Sequence, residues 1–229
     1  MGYWVFKALL TPLLRFAYRI RCRGLDQVPR HGPVILASNH NSFMDSMFIP
    51  LVMRRRVTFL AKAEYFDNPR TAWFFRAMGQ IPITRGGGSA SERALKAARE
   101  VLDGGGVLAI YPEGTRSPDG RLYKGRTGVA RIALSCPCAP VVPFALSGTR
   151  QIQPIDAMRP RLFKTVHVRV GPPLEWPDLA GRSGDRAVLR RVTDEIVDAI
   201  GAISGQEQVT SYALRAPRKA EEEAKDRKD

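Results

Sequence analysis

The feature that most restricts the fold of this chain is an alternation of short apolar runs with longer amphipathic segments. The apolar runs have about five residues each, the length of a strand buried on both faces, whereas the amphipathic segments have helical periodicity. Strands that alternate with helices predict an α/β fold with a mixed, mostly parallel sheet flanked by helices. The strands are predicted at 33–38, 57–61, 80–84, 107–111, 141–146 and 166–170, and the helices at 42–53, 70–78, 89–103, 127–135 and 185–203.

The first 23 residues form a separate segment in which every charged residue is basic. At helical periodicity its polar residues form a narrow cationic stripe opposite a broad apolar surface. This stripe consists of Lys7, Thr11, Arg15, Arg19 and Arg23. Because Thr11 before Pro12 is typical of an N-cap followed by a first-turn proline, an amphipathic helical pair is predicted over 1–23. The pair suits an anionic membrane surface, and packing on the rest of the chain stays open as the alternative.

Length and composition indicate one catalytic domain, 24–205, followed by a charged tail, 206–229, which is predicted to be disordered. No apolar stretch reaches the roughly 18 to 20 residues that a spanning helix needs, so a peripheral or monotopic protein at the cytoplasmic face of the cell membrane is expected. Cys22, Cys136 and Cys138 lack the spacing of a metal site, and no metal is expected.

The net charge of +14 predicts an anionic partner. No helix combines an arginine and lysine cluster with base-reading residues, so nucleic acid is not expected as that partner. An anionic lipid surface or a phosphorylated substrate remains.

The first candidate for chemistry is the segment NHNSFMD, 39–45, which directly follows the strand at 33–38. Reactive groups in α/β sheets meet a crevice at strand ends. Asp45, on the following helical turn, can hold one ring nitrogen of His40 and leave the other free to accept a proton. Taken alone, Ser42 and Asp45 are equally typical of helix capping.

The second candidate is the segment YPEGTRS, 111–117, which also follows a buried strand. In this segment Gly114 allows close approach of a ligand, Arg116 offers a planar fork for phosphate, and Glu113 can hold that fork or a substrate hydroxyl. A surface turn with an Arg–Glu pair is the structural alternative. A third strand, in GQIPITR, ends on Arg85. Three polar clusters at strand ends can converge on one cleft.

The motifs NHNSFMD, GQIPITR, YPEGTRS and VVPFALSG occur in this order between residues 39 and 148. In this combination the chain resembles the 1-acylglycerol-3-phosphate (lysophosphatidate) acyltransferases, within the wider glycerolipid acyltransferases. The resemblance implies His40 as general base with Asp45 as its partner. It also implies an acceptor-binding set of Lys62, Arg85, Glu113, Gly114, Thr115, Arg116 and Lys124. Tyr111, where the family commonly has phenylalanine, and the triple glycine 86–88 are departures from its pattern.

The expected reaction moves a fatty acyl group from an acyl thioester to the free hydroxyl of 1-acylglycerol 3-phosphate, giving phosphatidate. The sequence lacks a G-x-S-x-G nucleophile motif, so direct attack without a covalent acyl-enzyme is expected, and no cofactor is implied. The donor stays open between acyl-CoA and an acyl carrier protein. The acceptor stays open among lysophosphatidate, glycerol 3-phosphate and another lysophospholipid. A lipid-binding membrane protein without catalysis is the non-enzyme alternative.

Overall fold

A computed structural model describes residues 2–83 and 89–214 of the chain. Its helices are α1 (Gly2–Ala17), α2 (Asp45–Val52), α3 (Pro69–Ala77), α4 (Ser89–Asp103), α5 (Gly128–Ser135), α6 (Thr149–Ile152) and α7 (Arg186–Ser204). Its strands are β1 (Arg19–Arg23), β2 (Val34–Ser38), β3 (Val57–Lys62), β4 (Ile81–Ile83), β5 (Val107–Ile110), β6 (Leu122–Tyr123), β7 (Val141–Ser147), β8 (Thr165–Val170) and β9 (Gln208–Val209).

The larger sheet of the described residues has the strand order β1-β8-β7-β2-β5-β3-β4. Strands β7 and β8 pair antiparallel, and the other neighbours pair parallel. The predicted mixed, mostly parallel α/β sheet is therefore confirmed. Strands β2, β3, β5 and β7 end at the same edge, which we call the carboxyl edge. Strands β8 and β1 run in the opposite direction and begin there.

Strand β2 explains why the apolar runs are continuous rather than alternating. All five of its residues are buried, because helices cover both faces of the sheet. Val34 and Leu36 pack in one core with Phe48 of α2. Ile35 and Ala37 face a second core, formed with α4, α5 and α7. The central strand is thus fixed on both faces, and the loop that leaves its carboxyl end starts from a rigid position.

The N-terminal segment differs from the prediction of a helical pair. Helix α1 runs through Pro12 without a break, and the Thr11 hydroxyl is buried with no hydrogen-bond partner in the described structure, so it caps no second helix. Residues Arg19–Arg23 form β1, which pairs with β8, so the cationic stripe does not continue as a helix. Lys7 turns inward, and its ammonium group donates to the Met53 carbonyl.

The outer face of α1 carries an apolar stripe that is open to solvent. Its residues are Val5, Leu9, Leu13 and Phe16, each more than half exposed, with Trp4 beside them. None of the described helices combines the length and hydropathy needed to cross a membrane.

The beginning of the predicted disordered tail is folded. Helix α7 ends at Ser204 and is followed by Gly205, and within the next residues, 206–212, β9 pairs in parallel with β6. We call residues 206–212 the C-terminal strap. Residues 215–229, the rest of the predicted tail, lie outside the described residues, as do Arg85 and the glycines 86–88.

Candidate active site

The loop 39–44 between β2 and α2 places His40 at the carboxyl edge beside Asp45, the first residue of α2. His40 Nδ1 lies 3.0 Å from Asp45 Oδ2. The Asp45 side chain is 0% exposed, and that of His40 is 16% exposed. The same Oδ2 accepts hydrogen bonds from the main-chain N–H groups of Asn41 at 2.7 Å and Ser42 at 2.8 Å. One oxygen of Asp45 therefore both organises the loop backbone and holds the imidazole.

This geometry assigns different roles to the two nitrogens of His40. Asp45 can only accept, so Nδ1 carries the hydrogen and Nε2 keeps its lone pair in the neutral ring. In the described part of the chain Nε2 has no hydrogen-bond partner. An imidazole that is held at one nitrogen and open at the other is suited to accept a proton from a hydroxyl.

Tyr111 supports the face of this imidazole. The two rings are stacked, with centroids 3.8 Å apart and planes inclined by 9°. The Tyr111 hydroxyl lies 2.8 Å from the Ser46 hydroxyl, on the residue after Asp45. Burial, and then the negative charge of Asp45, raise the pKa of Tyr111 well above its usual value, so its hydroxyl stays protonated. In the sequence, Tyr111 is distinguished only by its departure from a family pattern.

Glu113 fastens the second motif to the first. Its Oε2 accepts a hydrogen bond from the His40 main-chain N–H at 3.0 Å, and its Oε1 accepts one from the Tyr123 N–H at 3.0 Å. The Ser117 N–H in turn donates to the His40 carbonyl at 2.7 Å. In the described structure Glu113 therefore binds two main-chain amides, and no ion pair joins it to Arg116 among the described residues. Its predicted contact with a substrate hydroxyl stays a prediction.

Burial has a measurable consequence for Glu113, which is 2% exposed. Burial raises the pKa of Glu113 to about 7, although the two main-chain hydrogen bonds oppose the rise. The charges of Asp45 and Asp119 add smaller increases. This carboxyl group therefore titrates near neutral pH.

Gly114 is required by the turn and its neighbour. Its φ is +70°, in the left-handed region, and a Cβ there would lie 2.9 Å from Cδ of Arg126. Backbone conformation and the nearby Arg126 side chain therefore favour glycine here, in addition to the close approach of a ligand that the sequence predicts.

The predicted acceptor-binding residues are only partly brought together by the described structure. Thr115 and Arg116 lie in the loop bonded to His40, and Arg116 has no hydrogen-bond or ion-pair partner among the described residues. Lys124 lies with its ammonium group 5.7 Å from the ring centroid of Tyr212, in the C-terminal strap. The main chain of Lys62 ends β3 at the carboxyl edge. Arg85 lies outside the described residues.

Gln206 of the C-terminal strap also belongs to the site, although no motif in the sequence predicted a role for it. Its Oε1 accepts from Asn39 Nδ2 at 2.6 Å, and its Nε2 donates to Asn41 Oδ1 at 3.2 Å and to the Gly120 carbonyl at 2.6 Å. Asn39 is also bonded through both atoms of its amide to the main chain of Leu146 on β7. Gln206 therefore links the two motif loops to each other and to the end of α7.

Comparison with known proteins gives consistent matches across this region. Residues 19–147, more than half of the chain, match the model of the family described as Acyltransferase. The chain is 35% identical over 138 residues to a chloroplastic 1-acyl-sn-glycerol-3-phosphate acyltransferase of Arabidopsis thaliana, covering 60% of this chain and 38% of that protein. It is 26% identical over 195 residues to a protein of the same name from Chlamydomonas reinhardtii, covering 83% and 58%.

Among solved structures, the chain is similar to the 1-acyl-sn-glycerophosphate (LPA) acyltransferase PlsC from Thermotoga maritima, with a TM-score of 0.66 and 26% identity. That match covers 84% of this chain and 73% of the other. The chain spans less than two thirds of the length of the two curated relatives described above.

Proposed function

Because the chain belongs to the acyltransferase family, we propose that it transfers a fatty acyl group from an acyl thioester to the free hydroxyl of 1-acylglycerol 3-phosphate, forming phosphatidate. The observation that carries this proposal is the His40–Asp45 pair, held 3.0 Å apart at the carboxyl edge with the second ring nitrogen open. Relatives named as 1-acyl-sn-glycerol-3-phosphate acyltransferases support the choice of acceptor.

The mechanism begins with a proton transfer. His40 Nε2 takes the proton of the acceptor hydroxyl as its oxygen attacks the thioester carbonyl, and Asp45 stabilises the imidazolium through Nδ1–H. Collapse of the tetrahedral intermediate breaks the C–S bond. The thiolate leaves with the proton returned by His40, so an ester and a free thiol are the products.

Burial of Asp45 suits this role. A buried carboxylate is costly unless it is hydrogen-bonded, and here Oδ2 receives two main-chain N–H groups as well as the imidazole. The carboxylate is thus held in one position before substrate arrives, which spares the reaction the cost of orienting it.

Positive side chains in the same region would bind the acceptor phosphate. Arg116 offers a guanidinium with no partner among the described residues, in a loop whose Ser117 N–H is bonded to the His40 carbonyl. A guanidinium can bind two phosphate oxygens at once. Thr115, Lys124, Lys62 and Arg85 complete the proposed acceptor-binding set, in which Glu113 and Gly114 shape the loop.

The proposed location is an anionic membrane surface at the cytoplasmic face, where the lysophospholipid resides. The exposed apolar stripe of α1, from Val5 to Phe16, has the character of a monotopic anchor, and the net charge of +14 favours anionic lipid. Acyl-CoA and an acidic acyl carrier protein are the proposed donors, since both would be attracted by the same charge.

The test is an acceptor comparison in lipid vesicles. Purified protein is given a long-chain acyl-CoA with either lysophosphatidate or glycerol 3-phosphate, and both the product mass and the free thiol are followed. Phosphatidate formed from lysophosphatidate, and lost in His40→Ala, is the expected result. Product from glycerol 3-phosphate alone would move the reaction to a different acceptor. Lipid binding without transfer from either acyl-CoA or acyl carrier protein would contradict the enzyme and favour a lipid-binding protein.

A further inference from the structure

The loop 154–164, which joins α6 to β8, exposes a combination of apolar and basic side chains that the proposed function does not use. Met158 is 96% exposed, Leu162 52% and Phe163 70%. The cations Arg159, Arg161 and Lys164 alternate with them and are exposed too, against one exposed acidic residue, Asp156. Large apolar side chains rarely stand open to water together in one short loop without a binding purpose.

At its start, this loop is connected to the active site by a hydrogen bond. The Ser42 hydroxyl of the His40 loop donates to the Gln153 carbonyl at 2.8 Å. The Arg161 N–H donates to the Ile152 carbonyl at 2.8 Å, so the loop folds back toward α6. Because β8 begins at the carboxyl edge, the loop lies at the same edge as His40.

On its other side the loop is tied to the N-terminal helix. The Phe163 N–H donates to the Ala17 carbonyl, the last residue of α1, at 2.8 Å, and the Arg19 N–H donates to the Lys164 carbonyl at 3.1 Å. Ala17 follows Phe16, which is 81% exposed and ends the apolar stripe of α1. The end of the loop that carries the exposed Phe163 is therefore bonded through its main chain to the end of the helix that carries the apolar stripe.

Phe163 has a backbone conformation that its side chain disfavours. Its φ is +58°, in the left-handed region that favours glycine. An aromatic residue in this region is a conformational outlier that costs free energy, and such outliers concentrate at functional positions. Packing within the domain does not explain the aromatic ring, since most of its surface is in solvent.

We propose that the 154–164 loop is a second membrane-contacting element, which inserts Met158, Leu162 and Phe163 among the headgroups of an anionic bilayer and seats the entrance of the His40 site on the lipid. The three cations complement the negative surface of such a bilayer. The proposal rests on the proposed function in one respect, that the acceptor is drawn from the membrane. With α1, the loop would give the domain two points of contact with the membrane. Two contacts fix the orientation of the domain on the bilayer, whereas α1 alone would allow the domain to rotate about the helix axis.

The experiment measures binding to phosphatidylcholine vesicles that contain phosphatidylglycerol, by cosedimentation, and so needs no catalytic activity. One variant combines Met158→Ser, Leu162→Ser and Phe163→Asn, since asparagine tolerates a positive φ. A second variant combines Arg159→Gln, Arg161→Gln and Lys164→Gln. Its matched control, Arg23→Gln with Arg30→Gln and Arg54→Gln, removes the same charge from exposed residues at the opposite edge of the sheet.

Both loop variants are expected to bind vesicles about 10- to 100-fold more weakly than the unaltered chain at low salt, and the matched control to bind within about threefold. Turnover of a water-soluble short-chain lysophosphatidate without vesicles should be unchanged, which separates this proposal from the proposed function. Unaltered vesicle binding by the apolar variant would overturn the proposal. Equal losses of vesicle binding in the charge variant and its control would also overturn the proposal. So would loop variants that lose binding to an acidic carrier protein but keep vesicle binding.

Discussion

The carboxylate of Glu113 accepts a hydrogen bond from the main-chain N–H of His40 at 3.0 Å, and its other oxygen accepts one from the Tyr123 N–H. Through this side chain the second sequence motif holds the main chain of the first. The two motifs are therefore one structural unit, in which the loop that carries Arg116 is fixed relative to the imidazole.

The raised pKa of Glu113 predicts a pH dependence of stability. Its folded value of about 7 exceeds its usual value of 4.5, so the folded chain binds a proton that the unfolded chain releases between these values. The favourable contribution of Glu113 to the free energy of unfolding is complete below about pH 4.5 and is lost as the pH rises through about 7. The total loss is at most roughly 3 kcal/mol. Glu113→Gln should remove this slope from the free energy of unfolding, measured by urea denaturation at several pH values. Parallel curves for the two proteins would refute it.

Tyr111 is expected to act through its ring more than through its hydroxyl. Tyr111→Phe keeps the stack on His40 and loses the bond to Ser46, which should cost about 1 kcal/mol of stability with little change in kcat. Tyr111→Leu removes the stack and should lower kcat about 3- to 10-fold. Steady-state kinetics on both variants distinguish these effects, and the reverse order of activities would show that the hydroxyl matters instead.

Gln206 should couple the C-terminal strap to catalysis. Gln206→Ala removes one hydrogen bond from each of the Asn39 and Asn41 side chains, which keep their bonds to the Leu146 main chain, and one from the Gly120 carbonyl. The loss should cost about 1–3 kcal/mol of stability, with kcat falling more than KM rises. Gln27→Ala is the control, because among the described residues the exposed Gln27 side chain makes only a 3.5 Å contact with Asp26. Thermal unfolding and kinetics report the two quantities. A variant with lowered stability and unaltered kcat would assign Gln206 a purely structural role.

Arg116 should bind the acceptor and leave the donor unaffected. Loss of a charge-assisted hydrogen bond to phosphate in Arg116→Ala predicts about a 10- to 100-fold rise in KM for lysophosphatidate at constant KM for acyl-CoA. Arg54→Ala, at the opposite edge of the sheet, is the charge-matched control. A change confined to the KM for acyl-CoA would place the guanidinium at the donor instead.

Most of the sheet could be predicted from the sequence because a doubly covered strand has a simple signal. The runs at 34–38, 107–110 and 141–147 are apolar at nearly every position, so their strands begin and end within about a residue of the prediction. The loops that carry His40 and Arg116 follow two of these strands, which is why their proximity could be inferred.

The N-terminal segment shows where periodicity is ambiguous. A spacing of four, as between Arg15, Arg19 and Arg23, is nearly helical but is also a multiple of the two-residue repeat of a strand. Residues Arg19–Arg23 adopt the strand because β8 offers an edge to pair with. That partner lies more than 140 residues away in the chain, so local patterning could not reveal it.

The roles of Glu113 and Gln206 could not be predicted for a related reason. Both side chains form hydrogen bonds with main-chain or amide groups of a loop that is distant in the sequence. Such partners do not affect the pattern of residue types around Glu113 or Gln206. Glutamate beside an arginine suggested an ion pair, but burial at 2% exposure and two nearby N–H groups favour main-chain hydrogen bonds.

The measurement that tests the central claim most directly is the turnover of His40→Ala with lysophosphatidate and acyl-CoA in vesicles, with and without added imidazole. Loss of the general base should lower kcat about 10²- to 10⁴-fold while thermal unfolding and vesicle binding stay as in the unaltered chain, and imidazole should restore part of the rate. A His40→Ala protein that forms phosphatidate at the unaltered rate would contradict the assignment of His40 as the base.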